Sequence, residues 1–149
     1  MHATTRNWFA AALLMLVAAT LLHTTLLFGV AQVWSALVHL TLFGWITAMI
    51  MAVNYHTMPV FTGRDFPYAG LIRAQLACFI SGVSLTAVGQ LSATNALILA
   101  GLSGELAAAL LFMLNVALLL SKGVRRSLPP APPPVAGQKA VDRVGTRAT

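Results

Sequence analysis

Residues 8–58 read WFAAALLMLVAATLLHTTLLFGV, AQ, VWSALVHLTLFGWITAMIMAVNYHTM, two apolar runs separated only by Ala31 and Gln32. Each run, Trp8 to Val30 and Val33 to Met58, is close to the ~20 residues that cross ~30 Å of hydrocarbon. Lipid offers no partner to backbone N–H and C=O groups, so segments this apolar must satisfy them internally, as helices. A two-residue uncharged connection leaves the pair no room except as a tight antiparallel hairpin. Arg6 ahead of FAAALLMLVAA has the look of a secretory leader. The apolar run, however, passes Leu21 and continues to Val30 without an A-x-A site, so it is read as a retained span.

Two further runs follow, Tyr68 to Leu91 and Asn95 to Ser121. The expectation is an all-α fold: a four-helix transmembrane bundle of up-down topology over residues 1–122, with spans at about 8–30, 33–58, 68–91 and 95–121. The composition agrees. Of 149 residues 58% are hydrophobic and 8% charged, with mean hydropathy +0.83, whereas soluble domains carry about 25% charged residues. The formal charge of +6 belongs to no nucleic-acid patch. Arg6, Arg64, Arg73, Lys122, Arg125 and Arg126 flank the spans, and the positive-inside rule puts both termini in the cytoplasm. Beyond residue 122 lies a basic tail (123–149) containing PPAPPP. Its proline density favours extended polyproline II and disorder. The single cysteine, Cys78, excludes a disulfide framework and any Cys-rich metal site.

Ionisable side chains within spans are functional candidates, because they are costly in hydrocarbon. His23 lies eight residues before Ala31, and His39 seven after Gln32. Both therefore sit ~11–13 Å below the outer turn. Glu105, ten residues after Asn95, falls in nearly the same layer. Two level imidazoles suit the axial positions of a haem iron, a copper or zinc ion shared with Glu105, a proton relay, or plain interhelical hydrogen bonds. Helices in contact have axes 8–10 Å apart, too close for a porphyrin between them. A tight hairpin would thus favour a bare ion or a haem shared by a dimer. His56, 17 residues after His39, is ~25 Å away along the helix and cannot join it on one metal. With Met58 it is a weaker copper candidate, and otherwise an interfacial anchor. Arg64, Asp65 and Arg73 are read as anchors with a local ion pair. Trp8, Trp34 and Tyr68 form an aromatic belt, Trp45 packs within the bundle, and Gly82, Gly89, Gly101 and Gly104 mark packing seams. No nucleophile–base set, phosphate loop or HExxH motif is visible, which weighs against an enzyme.

The stretch ALVHLTLFGWITAMIMAVNYHTMPVFTGR, residues 36–64, resembles one helix of the catalytic subunit of haem-copper oxidases, the cbb type in particular. The shared residues are Val38-His39, Gly44-Trp45, Tyr55 and Pro59. In architecture, residues 8–122 resemble the small four-helix bacterial proteins described as cytochrome oxidase subunit I-like, with the motif itself confined to residues 36–64. The resemblance implies that His39 is an axial ligand of a low-spin haem b. Leu37 stands where the oxidases place their high-spin haem ligand, which argues against an oxygen- or nitric-oxide-reducing site. The depth count supplies His23 as the partner, with Trp45 and Glu105 beside the cofactor. The implied protein is a bacterial inner-membrane haem b protein for electron transfer or redox or gas sensing, associated with itself or with respiratory subunits. The alternatives are a cofactor-free accessory or assembly subunit and a copper or other metal handler.

Overall fold

The computed structural model describes residues 3–26, 28 and 33–125. The Ala31–Gln32 connection, His2 and the proline-rich tail from residue 126 lie outside the described residues. Helix α1 spans Ala3–Leu26. A second, unbroken rod consists of α2 (Trp34–His39), a π-helical segment (Leu40–Ile46) and α3 (Thr47–Thr62). Helices α4 (Ala69–Leu91) and α5 (Asn95–Lys122) complete the fold. The four rods, 23 to 29 residues each, are all long and apolar enough to cross a membrane.

The second rod runs four residues past its expected end at Met58, through Pro59. Proline removes one backbone donor, a loss that neighbouring helices make tolerable in membrane helices, and here its ring is buried against the bundle. The rod stops at Gly63, whose φ of +63° is the left-handed C-terminal cap that glycine adopts without steric cost. A Cβ added there would meet no atom within 4 Å, so Gly63→Ala tests backbone strain alone. It should cost about 1 kcal/mol, read as a small drop in thermal stability in detergent.

Two two-residue strands, β1 (Arg64–Asp65) and β2 (Val124–Arg125), pair antiparallel with Arg64 opposite Arg125. The Arg64 Nη1 donates to the Leu120 carbonyl at 2.7 Å, satisfying one of the acceptors that a helix C-terminus leaves open. Thr4, Asp65, Phe66 and Ala69 line one cavity. The start of α1, the 63–68 connection and the end of α5 are therefore together at one end of the bundle.

The core is a stripe on α1 (Trp8, Ala12, Met15, Ala19) packed on Ala48, Ala52 and Tyr55 of α3 and on Phe79 and Val83 of α4. Trp8 corrects the aromatic-belt reading. It is fully buried, with ring centroids 5.9 Å from Tyr55 and 5.3 Å from Phe79. Because α1 begins at Ala3, Trp8 is a full turn inside the helix and on its buried stripe. Trp34 and Tyr68 are exposed, as a belt requires. Trp45, half-buried, packs against the core.

The tightest seam joins α4 and α5, on the glycines expected to mark it. A Cβ at Gly82 would lie 2.7 Å from the Glu105 backbone nitrogen and 2.9 Å from the Gly101 oxygen. One at Gly89 would lie 2.7 Å from the Ile98 nitrogen. Later residues of α4 thus meet earlier residues of α5, and the two backbones touch.

Candidate functional site

That backbone contact places two polar side chains side by side. Gly101 leaves space that a Cβ would take from Thr86, at 2.2 Å from its Oγ1. Thr86, 1% exposed, donates its hydroxyl hydrogen to Glu105 Oε1 at 2.8 Å. The same Oε1 shares a hydrogen with His39 Nε2 at 2.7 Å. The His39 and Glu105 side chains are only 8% and 12% exposed, and the imidazole stacks on Phe43 with centroids 4.9 Å apart. The sequence count put His39 and Glu105 in one layer, and the structure joins them directly.

His23 does not join them. It is exposed on α1, whereas the His39 and Glu105 side chains are largely enclosed. His56 is exposed on α3, and Trp45 makes its contacts in the core. Among the described residues no group of three or more His, Cys, Asp or Glu side chains converges on a metal-sized site. A haem on His39 needs its Nε2 free and a second axial group opposite. Here that nitrogen is bonded to a carboxylate, and His23 and His56 are both exposed. One cavity, of about 530 Å³ between α1 and α4, is lined by Leu14, Met15, Leu22, Leu40, Ile80 and other small or apolar side chains, with no histidine. The donor set does not fit a bis-histidine haem within one copy of the chain.

Sequence reasoning missed a second buried polar group. The Tyr55 hydroxyl donates to Gln75 Oε1. Asn115 Nδ2 donates to the Tyr55 oxygen at 3.1 Å and to Gln75 Oε1 at 3.3 Å. Gln75 Nε2 reaches Met51 Sδ at 3.7 Å. Tyr55, Gln75 and Asn115 are 3%, 0% and 2% exposed, so three helices are tied together in a dry interior. The available signal was Gln75 and Asn115, uncharged amides inside apolar runs, which hydrocarbon tolerates only when they hydrogen-bond across helices.

The π-helical segment aims both groups at α5. Residues 39 and 55 are 16 apart, which in a straight α-helix puts them about 160° apart around the axis. Wider π turns between them unwind that rotation. Thr47 Oγ1 follows the same period, donating to the Leu42 carbonyl five residues back at 3.0 Å. His39 and Tyr55 thus both meet α5, at Glu105 and Asn115. Between the two levels, about 15 Å apart by the ten residues from Glu105 to Asn115, lies a cavity of about 300 Å³. Its walls include Phe43, Thr47, Met51, Gln75, Phe79 and Glu105.

Fold and site together define the class: a multi-pass helical membrane protein with an imidazole–carboxylate pair buried between its helices. Comparison with protein-family models, with curated proteins and with solved structures returns no match to this chain.

Proposed function

We propose that this protein is a bacterial inner-membrane subunit that takes up and releases a proton at the His39–Glu105 pair, as an accessory of a larger respiratory-type complex. The observation that carries the reading is the 2.7 Å contact between Nε2 and Oε1 in a buried setting. Imidazole is the side chain whose charge changes nearest physiological pH. With one proton shared between imidazole and carboxylate, the pair is net neutral whichever atom holds it. Adding a proton leaves an imidazolium beside a carboxylic acid; removing one leaves a neutral imidazole beside a carboxylate. Either change puts one unit of charge among apolar walls, where it is expensive. Thr86 donates to the same carboxylate oxygen and holds it in place against His39. The oxidase-like stretch over residues 36–64 supports the respiratory setting. Arg6, Arg64, Arg73 and Lys122 support a cytoplasmic face at the end of the bundle that carries β1 and β2.

The test is nitrogen NMR of ¹⁵N-histidine-labelled protein in nanodiscs, with a pyridine haemochrome assay on the same preparation. The His39 ring signal, assigned by its loss in His39→Gln, is expected to show a strong hydrogen bond that disappears in Glu105→Gln. A ring signal indifferent to Glu105→Gln would overturn the reading. So would a b-type haem spectrum lost in His39→Ala, which would reinstate the cytochrome implied by the resemblance.

A further inference from the structure

Helices α1 and α4 begin side by side, since Thr4 and Ala69 line the same two neighbouring cavities. One of these, of about 300 Å³, has Asn7 and Trp8 of α1 and Arg73 and Leu76 of α4 on its walls. Trp8 and Arg73 each lie four residues beyond the shared level, so both sit ~6 Å further in, at one depth. Each polar side chain on this wall can donate: the Thr4 hydroxyl, the Asn7 amide, the Trp8 indole and the Arg73 guanidinium. No carboxylate lines it; Asp65 belongs to the neighbouring cavity.

Two of these donors have no partner among the described residues. The Trp8 side chain is fully buried, yet no acceptor meets its indole N–H. A buried donor left unpaired costs about 1–3 kcal/mol, so this atom marks a partner that the bundle itself does not supply. Arg73 is exposed and forms no ion pair. Further along the same two helices the cleft turns apolar. Beyond Leu76 it becomes the cavity of about 530 Å³ walled by Leu14, Met15, Ala18 and Ile80. Leu14 and Val88 of its lining are exposed on the bundle surface, so this part faces lipid. Ten residues separate Trp8 from Ala18, about 15 Å, which is half the ~30 Å thickness of the hydrocarbon.

We propose that the α1–α4 cleft binds one anionic phospholipid, its phosphate held by Arg73, Asn7 and Trp8 and an acyl chain lying along Leu76, Ile80 and Met15. A lipid phosphodiester offers acceptors and one negative charge, the complement of three donors and a cation that lacks a counter-charge. A zwitterionic headgroup brings its own cation, which Arg73 repels, so a net-anionic lipid is preferred. Free phosphate would leave the apolar length of the cleft unfilled. The site stands apart from the His39–Glu105 pair and needs none of its proton chemistry.

The test uses the full ¹⁵N-tryptophan-labelled chain in nanodiscs of phosphatidylcholine, alone or mixed equally with phosphatidylglycerol. The Trp8 indole signal, assigned by its loss in Trp8→Phe, should move downfield in the mixture as the N–H gains an acceptor. Native mass spectrometry of protein released from the mixed discs should show one retained phosphatidylglycerol. Arg73→Gln, at an exposed position, should weaken that retention about tenfold, the worth of a hydrogen bond to a charged group. Asn7→Ala should weaken it about threefold. Lys122→Gln removes an equal charge at the same end of the bundle, off the cleft, and should change retention by less than about twofold. Equal losses in Arg73→Gln and Lys122→Gln would mean attraction by overall charge and would overturn the site. An unmoved Trp8 signal in the mixed discs would overturn it as well. A shift of the same size from inorganic phosphate added to phosphatidylcholine discs would overturn the lipid as occupant and make a free anion the ligand.

Discussion

A single methyl group at Gly101 is expected to force α4 and α5 apart. The added Cβ would lie 2.2 Å from Thr86 Oγ1, 2.4 Å from the Thr86 backbone nitrogen and 2.7 Å from the Gly82 oxygen. Two of those three atoms are backbone, so no rotamer change relieves the clash. Overpacking of this kind costs about 3 kcal/mol, and the Thr86–Glu105 hydrogen bond should be lost with it. Gly70→Ala is the matched control. It lies in the first turn of α4, where a Cβ would meet nothing within 4 Å. There alanine should be neutral or stabilising by up to about 1 kcal/mol, through its better helix propensity. Unfolding in mixed micelles should therefore give opposite signs for one chemical change at two glycines. Equal effects would mean that the α4–α5 backbone contact does not hold the bundle together.

Breaking the His39–Glu105 pair from one side should be worse than removing it altogether. His39→Leu leaves Glu105 with only Thr86 in a largely apolar wall, and Glu105→Leu leaves an imidazole without its partner. Each single change should destabilise the bundle by about 2–3 kcal/mol, the scale of an ionisable group held unpaired at depth in a membrane. The double variant replaces both by apolar side chains and should recover most of that loss, as buried ion pairs do when exchanged whole for hydrophobic residues. A double-mutant cycle read by the same unfolding measurement gives the coupling directly. Additivity within about 0.5 kcal/mol would show that the contact carries no energy of its own.

These expectations rest on side-chain placements that the sequence discloses unevenly. The layer holding His39 and Glu105 was legible, because depth in a membrane helix is a count of residues multiplied by a fixed rise. His23 was placed by the same count, yet it faces outward. Depth along an axis says nothing about rotation around it. Trp8 failed as a belt residue for a related reason. A tryptophan near a span end is interfacial only if its helix starts there, and α1 starts five residues earlier, with Trp8 on its buried side.

What the sequence by itself determined is everything the lipid enforces locally: four runs long and apolar enough to span, helical because their backbones have no other partner, with small residues where two helices touch. In a soluble helix an apolar stripe also fixes which side faces the core. Here that stripe is absent, since leucine is as suitable against lipid as against a neighbouring helix. Only the tertiary structure decided the rotations. The α4–α5 contact at Gly82 and Gly101 set Thr86 against Glu105, and the π turns after His39 swung that residue and Tyr55 toward the same helix. Both the buried pair and the amide–phenol layer below it follow from those two rotations, which depend on how the helices meet rather than on any one helix.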